Sequence, residues 1–380
     1  MMAQEALIIG AGFAGAVCAR RLADKGYTVT LLEKRGHIAG NMYDEADAQG
    51  IRVHWYGPHI FHTSIQRVWE YLNRFTDFFP YEHRVLGWID GQLVPIPFNY
   101  ASLEALRPEQ APVLEQMLSN AFPGQKRISI LDLLNRREPP LKELGEYIYD
   151  RVFVHYTAKQ WQLPIEQVDR SVINRVPVVL GYDDRYFQDT WQAMPAEGYL
   201  PLFQALLDSP NICVCLNCDG LERLTLSEGR ICLDGREWIG PVIYTGPLDE
   251  LFRQQYGPLP YRSLELVTER YDREWFQPAA VVNYPNEEDF TRITEHKYLT
   301  GQVLPGTTIM KEYPLAYVPE KNLPYYPIAS AESEALYQKY RTLADGYPRL
   351  HLCGRLAEYR YYNMDGVISR ALELSDSIED

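Results

Sequence analysis

Residues 6–15 read Ala6-Leu7-Ile8-Ile9-Gly10-Ala11-Gly12-Phe13-Ala14-Gly15, and the chain runs on through Ala16, Val17, Ala19, Leu22 and Ala23 to Lys25-Gly26 and then Val29-Thr30-Leu31-Leu32-Glu33. An apolar run enters G-x-G-x-x-G, apolar residues follow at helical spacing, and a second apolar run ends on an acid. That order predicts a βαβ unit that binds a dinucleotide, with Phe13 and Ala14 in the binding turn. Gly10 permits the tight turn, Gly12 lets the backbone approach a pyrophosphate at the helix N-terminus, and Gly15 allows close packing of helix on strand. Glu33, 18 residues after Gly15, is placed to take the two hydroxyls of an adenosine ribose. A lone G-x-G-x-x-G is weak, but strand, helix, strand and acid in register favour a bound dinucleotide over a glycine turn with no ligand.

The acid at the end of the second strand would repel a 2′-phosphate, so NADP is disfavoured and NAD and FAD remain. Beyond it come Lys34-Arg35-Gly36-His37-Ile38-Ala39-Gly40-Asn41-Met42-Tyr43. This run resembles the segment that passes close to the flavin phosphates and ribityl chain in flavoproteins of the glutathione-reductase and amine-oxidase type. The resemblance favours FAD, with Lys34, Gly40 and Asn41 beside it.

At 380 residues the chain has room for two or three domains, and its formal net charge of −14 opposes nonspecific binding to nucleic acid or anionic membrane. An anionic ligand therefore needs locally placed arginines. Met1-Met2-Ala3-Gln4-Glu5 has no basic lead and no apolar run approaches ~18 residues, which gives a cytoplasmic expectation. Cys213, Cys215 and Cys218 form C-x-C-x-x-C, but no second pair at zinc-ligand spacing follows; reduced thiols on a strand are the expectation, with no metal. The 28 tyrosines offer stacking faces and hydroxyls together, as a polar, ring-bearing ligand requires, or else plain packing.

Further along, Val53-His54-Trp55-Tyr56-Gly57-Pro58-His59-Ile60-Phe61-His62-Thr63 places two histidines on a loop after a strand, where they face a cofactor or substrate or are structural. Ser64 reads as the N-cap of a helix from Ile65 to Phe75. Asp90-Gly91 marks a hairpin between Val85-Leu86-Gly87-Trp88-Ile89 and Gln92-Leu93-Val94. Residues 101 to about 163 read as helices broken near Pro123-Gly124 and Pro139-Pro140, ending in the aromatic cluster from Tyr147 to Trp161. Those aromatics are core, or the walls of a slot for a flat base. Arg175, and Tyr186 beside Arg185, suit a diphosphate, because guanidinium offers a planar fork of donors; each reads equally as a surface ion pair. Val242-Ile243-Tyr244 is expected to rejoin the cofactor sheet. Near the C-terminus, a strand, Gly354-Arg355, a loop and a helix from Val367 to about Ser375 have the form in which glutathione-reductase-like flavoproteins bring a second helix N-terminus to FAD. No second G-x-G-x-x-G occurs, so a separate pyridine-nucleotide domain is not expected.

The fold expected is α/β: a Rossmann-like FAD-binding domain of glutathione-reductase type from residues 1–80, 195–250 and 335–380, a helical insertion over 100–165, and an antiparallel β-sheet domain from 81–99, 166–194 and 251–334.

Gly10-Ala-Gly-Phe-Ala-Gly15, Tyr56-Gly-Pro-His-Ile-Phe-His-Thr63, Tyr156-Thr-x-Lys-Gln-Trp161, Asp183-Asp-x-Tyr-Phe187, Thr291-Arg-Ile-Thr-Glu-His-Lys297, Pro324-Tyr-Tyr-Pro327 and Gly354-Arg-Leu-x-x-Tyr-x-Tyr361 together resemble bacterial UDP-galactopyranose mutases, in order and over nearly the whole chain. The resemblance implies a non-redox isomerisation of UDP-galactopyranose and UDP-galactofuranose by attack of reduced-flavin N5 on the anomeric carbon, in cell-surface polysaccharide biosynthesis. It also implies an external reductant such as NAD(P)H or a reductase, and a homodimer. By motif position it implies Arg175 (mobile-lid arginine) and Arg292 as the diphosphate arginines, with His62 as a further catalytic residue. Tyr156, Trp161, Tyr186, Asn283, Tyr326 and Tyr361 fall to the substrate. His59, Arg355, Asn363, Met364 and Asp365 fall to the cofactor side, and His62 matches a histidine beside the flavin.

Three positions depart from that pattern. Asn363 stands where many members have Asp, Gln162 replaces the glycine after Lys-Gln-Trp, and His155 replaces the glycine before Tyr156. These changes leave other nucleotide sugars open, UDP-N-acetylgalactosamine or dTDP-fucose. The alternatives from other classes are a flavin oxidoreductase on the same scaffold and a catalytically inactive nucleotide-sugar binding module.

Overall fold

A computed structural model describes residues 4–161 and 176–378. Its first layer is a five-stranded parallel sheet in the order Ile212–Cys215, β2 (Thr28–Leu32), β1 (Glu5–Ile9), Val242–Tyr244, Leu350–Leu352. The middle strands are covered on both faces, so they read as unbroken apolar runs: Leu7 and Ile8 on adjacent, opposite-facing positions are both fully buried. Between β1 and β2 lies helix α1 (Phe13–Asp24). Its C-terminus is closed by Gly26 at φ +96°, with Tyr27 N–H donating to Leu22 C=O at 3.1 Å, a Schellman turn that needs the left-handed conformation glycine tolerates. Val242–Tyr244 does rejoin this sheet, pairing with β1.

The second layer is a seven-stranded sheet in the order Tyr326–Pro327, Tyr261–Tyr271, Thr307–Ala316, Arg292–Glu295, Val281–Asn283, Val85–Ile89, Gln92–Ile96. It is mixed rather than antiparallel throughout, because Val281–Asn283 runs parallel to Val85–Ile89. Those strands lie almost 200 residues apart in the chain and no hairpin constrains their sense. The Asp90-Gly91 hairpin forms as expected, with Ile89 facing Gln92 across the turn.

Helices Tyr100–Leu106, Ala111–Ala121, Ile130–Leu134 and Pro139–Ile148 pack around their own core of Leu103, Leu114, Leu118, Ile130, Leu133, Leu144 and Ile148. Asn99 and Ser102 cap the first of them reciprocally, and proline opens the last, where no N–H partner is lost. A π-helical turn over Tyr149–Val154 then leads into His155–Trp161 and rotates Phe153 inward.

Two helices differ in extent from the sequence reading. Ser64 is not an N-cap: its Oγ accepts from Thr190 N–H at 3.1 Å, and Thr63 Oγ1 takes the N–H of Ile65 at 3.0 Å instead. The helix it precedes spans Gln66–Leu72, shorter than expected, because Phe75 N–H turns back to Leu72 C=O. The C-terminal helix starts earlier, at Met364, and ends at Ser377; α1 packs along it, Cys18 Sγ lying 3.7 Å from Ala371 C=O.

Candidate active site

Two cavities adjoin one another at the seven-stranded sheet. The first, of about 260 Å³, opens above the C-terminal ends of β1 and β2, where parallel sheets place their ligands. Gly10, at φ +102°, sits so close to the neighbouring strand that a Cβ would lie 2.1 Å from Thr245 Oγ1. A Cβ on Gly15 would meet Gly10 C=O at 1.8 Å; Gly15 therefore serves helix-on-strand packing and does not line the cavity. Gly12 and Gly40 face each other: a Cβ on Gly40 would lie 3.0 Å from the Gly12 Cα. Two bare backbones at the N-terminus of α1, whose Gly12 cap has no side-chain hydrogen bond, leave N–H groups for a phosphate. Phe13, Ala14, Glu33, Lys34 and Asn41 line the same cavity.

Glu33 is buried, its two oxygens accepting from Ala11 N–H at 2.8 Å and Arg35 N–H at 2.9 Å. Carboxylate oxygens have lone pairs beyond these two bonds, so the group both fixes the glycine turn and presents acceptors to the cavity. Arg35, to which the sequence reading gave no role, also lines it, stacked over Tyr56 at 4.4 Å and donating to Asn41 Oδ1 at 3.0 Å.

The second cavity, about 570 Å³, lies between the seven-stranded sheet and the helical insertion. It collects Tyr156, Tyr186, Asn283 and Tyr361 from four separate segments, together with His62 and Asn363. The cavities share Pro58, His59, Arg292, Tyr326, Arg355 and Met364. At this junction Tyr326 and Tyr361 stack with centroids 5.4 Å apart and planes 11° from parallel, and Arg355 lies 4.9 Å from one ring and 5.0 Å from the other. Arg355 is aimed by two carbonyls, donating to Tyr362 at 2.5 Å and Tyr325 at 3.3 Å.

Arg292 donates to Glu312 from Nε at 2.9 Å and from Nη2 at 2.7 Å. Burial opposes its charge, but Glu312, with Tyr156 and Tyr326, outweighs that and holds its pKa above the ordinary value. Glu312 is its cross-strand partner in register, 20 residues on, which no local motif reveals. The rest of the Thr291–Lys297 motif serves the fold. Glu295 is fully buried and accepts from Phe276 and Gln277 N–H, each at 2.9 Å, and from Thr307 Oγ1 at 2.6 Å; Lys297, equally buried, donates to the carbonyls of Leu304 and Glu274.

His59 is held neutral by burial, with His54 and Arg355 adding to the effect, at a pKa of about 3; its Nδ1–H donates to Gly57 C=O at 2.8 Å. His83, which the sequence reading overlooked, also lines the second cavity and is pushed down to about 3 by burial. Burial raises the pKa of Tyr156 and of Tyr326, so both keep their phenolic protons at neutral pH.

His62 lies away from the cofactor cavity: it lines only the second, hydrogen-bonded to Asp189 at 2.7 Å and stacked on Phe187 at 3.6 Å. Asp365 lines neither cavity; its Oδ1 accepts from Gly366 N–H at 2.7 Å within the first turn of the C-terminal helix. Asn363 faces the second cavity rather than the first, as the N-cap residue of that helix. Arg175, Gln162 and the side chain of Trp161 lie outside the described residues. Arg262 and Arg127 also line the second cavity, Arg262 lying 5.2 Å from the Tyr326 ring. Their signal in the sequence was only that a −14 chain with an anionic ligand needs arginines close together in space. Among the described residues no three cysteine, histidine or acidic side chains are arranged to hold a metal ion, and no helix is long and apolar enough to cross a membrane.

A Rossmann-like dinucleotide site opening onto a tyrosine- and arginine-lined second cavity defines an enzyme in which a cofactor meets an anionic substrate. Residues 151–361 match the UDP-galactopyranose mutase family and residues 8–75 an NAD(P)-binding Rossmann-like domain. The chain is 37% identical to a probable UDP-galactopyranose mutase of Klebsiella pneumoniae over 97% of its own length and 93% of the relative's. It is 36% identical to a dTDP-fucopyranose mutase of Escherichia coli, covering 97% of both chains. A crystal structure of reduced UDP-galactopyranose mutase superposes with a TM-score of 0.72 at 18% identity, over 99% of this chain and 94% of that one. The chain belongs to the UDP-galactopyranose mutase family and is an isomerase of that type.

Proposed function

We propose that the chain interconverts UDP-galactopyranose and UDP-galactofuranose, without net oxidation, on a reduced FAD. The observation that carries this is the junction of the two cavities at His59, Arg292, Tyr326, Arg355 and Met364, where a cofactor and a diphospho-sugar would meet. The residues fit FAD: facing glycines at the α1 N-terminus for the pyrophosphate, Glu33 for the ribose, and the Met364 end of the last helix at the junction. When bound and reduced, that flavin supplies the nucleophile for the anomeric carbon; NAD(P)H or a reductase is the expected electron source.

The protein's own part is positioning and electrostatics. Arg292, with Arg175, offsets the charge on the departing diphosphate, as donors aimed at developing charge do in a water-poor site. Tyr156, Tyr186, Tyr326 and Tyr361 hold phosphates and ring faces, the hydroxyls of Tyr156 and Tyr326 staying protonated at neutral pH, while neutral His59 adds no charge beside the cofactor.

The test is anaerobic incubation of dithionite-reduced protein with UDP-galactofuranose, following UDP-galactopyranose by chromatography. Conversion only after reduction is the expected result; turnover by the oxidised form with net substrate oxidation would establish an oxidoreductase instead. The match to a dTDP-fucopyranose mutase at nearly equal identity makes dTDP-fucose the second substrate to try, followed by UDP-N-acetylgalactosamine.

A further inference from the structure

The Cys213-x-Cys215-x-x-Cys218 run has no part in the chemistry proposed above, yet it ends against the cofactor cavity. Cys213 and Cys215 lie on strand Ile212–Cys215, at one edge of the parallel sheet, in register with Thr30 and Leu32 of β2. Beyond Cys215 the ladder loses its regularity. Glu33 N–H donates to Cys215 C=O at 2.9 Å, and in an unbroken parallel ladder the residue two further on would donate back to Glu33 C=O. Here Cys218 does so, at 2.9 Å, while Asn217 N–H reaches Arg35 C=O at 3.0 Å. One extra residue is taken up as a bulge, with Asn217 at φ +54°, a left-handed conformation that asparagine tolerates.

Through the bulge, Cys215 and Cys218 take the places of residues two apart on a strand. They therefore share a face, and both pack against the core around Leu7, Ile9 and Leu32. Such positions have Cα atoms about 6.5 Å apart, at the long end of the ~4.4–6.8 Å that a disulfide spans. The same loop clasps Glu33 by its backbone, and Asp219, Gly220 and Leu221, directly after Cys218, line the cofactor cavity with it. Both sulfurs are free thiols and half-buried. Arg223 Nη1 donates to Cys218 Sγ at 3.3 Å, the partly exposed, electropositive setting in which thiols react. Burial, with Cys213 and Cys218 adding to it, raises the pKa of Cys215, which leaves Cys218 to react first. Cys213 is the poorer partner for Cys215, because a regular ladder with β2 holds those two apart while the bulge is able to tighten. Cys18 and Cys353 are buried in the core, out of reach of an oxidant.

We propose that Cys215 and Cys218 are an oxidisable dithiol that closes to a disulfide under peroxide and, by drawing in the bulge, loosens the hold of Glu33 on the cofactor. The reaction balances in two steps. The Cys218 thiol and hydrogen peroxide give a sulfenic acid and water. The Cys215 sulfur then attacks the Cys218 sulfur, the S–S bond forms as the S–O bond breaks, and a second water leaves. The dithiol gives up two electrons and the peroxide takes them. A bridge at the commonest Cα separation of ~5.5–6 Å pulls the ends of the bulge together by up to about 1 Å, and the two backbone bonds to Glu33 take up the shift. The effect on the cofactor rests on the FAD reading above; the dithiol itself does not.

To test this, the holoenzyme is titrated with hydrogen peroxide, quenched with catalase, alkylated with iodoacetamide under denaturing conditions and digested with trypsin. All three cysteines fall in one tryptic peptide, between Arg185 and Arg223, so fragmentation locates the bridge. The expected product has Cys213 alone alkylated and is two hydrogens lighter than the dithiol. In parallel, flavin released on dilution is followed by its fluorescence. Its dissociation is expected to quicken roughly tenfold, as the weakening of one or two hydrogen bonds implies, and to return to the untreated rate with dithiothreitol. Cys215→Ser and Cys218→Ser should keep the untreated rate under peroxide, while Cys213→Ser should respond as wild type does. Three alkylated cysteines after peroxide, or a bridge to Cys213, would overturn the dithiol. A Cys215–Cys218 bridge with unchanged release, or quickened release in both of those serine variants, would overturn its coupling to the cofactor. Protein purified without flavin would remove the FAD reading and the coupling with it, and the peptide map would still decide the dithiol.

Discussion

The cofactor cavity and the substrate cavity share a wall yet are assembled on different principles. The first is centred on glycines whose missing Cβ atoms permit close approach, on contiguous residues around β1, α1 and β2, and is walled further by residues such as Tyr56, Thr245, Tyr325 and Gly354. The second is made of side chains from the Tyr56–Thr63 loop, the helical insertion, the Asp183–Asp189 loop and the seven-stranded sheet. A backbone site tolerates almost no change at its few decisive positions but is indifferent elsewhere. A side-chain site should degrade gradually, residue by residue.

Gly15→Val should break the comparison most severely. With Gly10 C=O 1.8 Å from the new Cβ, helix and strand cannot pack, and the purified protein is expected to lack flavin absorbance or to be insoluble. Arg292→Ala should instead spare the flavin spectrum and lower kcat/KM by roughly 10²–10³-fold, about 3–4 kcal/mol. Part of that loss arises because Glu312 is left buried without its cation; the double variant Arg292→Ala/Glu312→Gln separates the two contributions. Arg175→Ala is expected to cost a similar amount. Near wild-type turnover in both single variants would sink the diphosphate assignment.

A smaller effect is expected of Tyr326→Phe. The stack on Tyr361 and the contact with Arg355 survive and only the hydroxyl is lost, about 0.5–1.5 kcal/mol, read as a rise in KM for the UDP-sugar. No change in KM would place the hydroxyl away from the phosphates.

The smallest change expected in activity is a stability effect beside the cofactor sheet. Burial raises Asp249 from 3.8 to about 6. A group whose folded pKa lies above its unfolded value contributes stability that is complete below pH 3.8 and lost as pH rises through about 6. Asp249→Asn should therefore remove that pH dependence and gain about 1–3 kcal/mol on wild type above pH ~6, less what the amide loses as an acceptor for Leu259 N–H and Gln254. Thermal melts from pH 4 to 8 would show it as a crossing of the two curves; parallel curves would mean that Asp249 is not perturbed.

The same contrast explains what could be read from the chain before its folding was known. The Gly10-x-Gly12-x-x-Gly15 turn, the acid at Glu33, the Asp90-Gly91 hairpin and the helix break at Pro139-Pro140 are local: each depends on conformations allowed to a few successive residues, so pattern and geometry coincide. The Tyr56–Thr63 and Thr291–Lys297 blocks were legible as unusual, but not as what they do. Resemblance marked both histidines of the first block as flavin neighbours, whereas only His59 reaches the cofactor cavity and His62 turns to Asp189. In the second block only Arg292 reaches the cavities, while Glu295 and Lys297 are buried for the fold.

By itself, then, the sequence determined the dinucleotide half of this protein, the hairpin and helix boundaries set by glycine and proline, and the family to which the whole chain belongs. Only the tertiary structure decided that Val281–Asn283 lies parallel to Val85–Ile89, that Glu312 faces Arg292, that Asp365 bonds within the first turn of a helix instead of lining a cavity, and that Asp189 meets His62. Backbone conformation depends on neighbours in the chain. Strand pairing and side-chain partnership depend on which distant segments burial brings together.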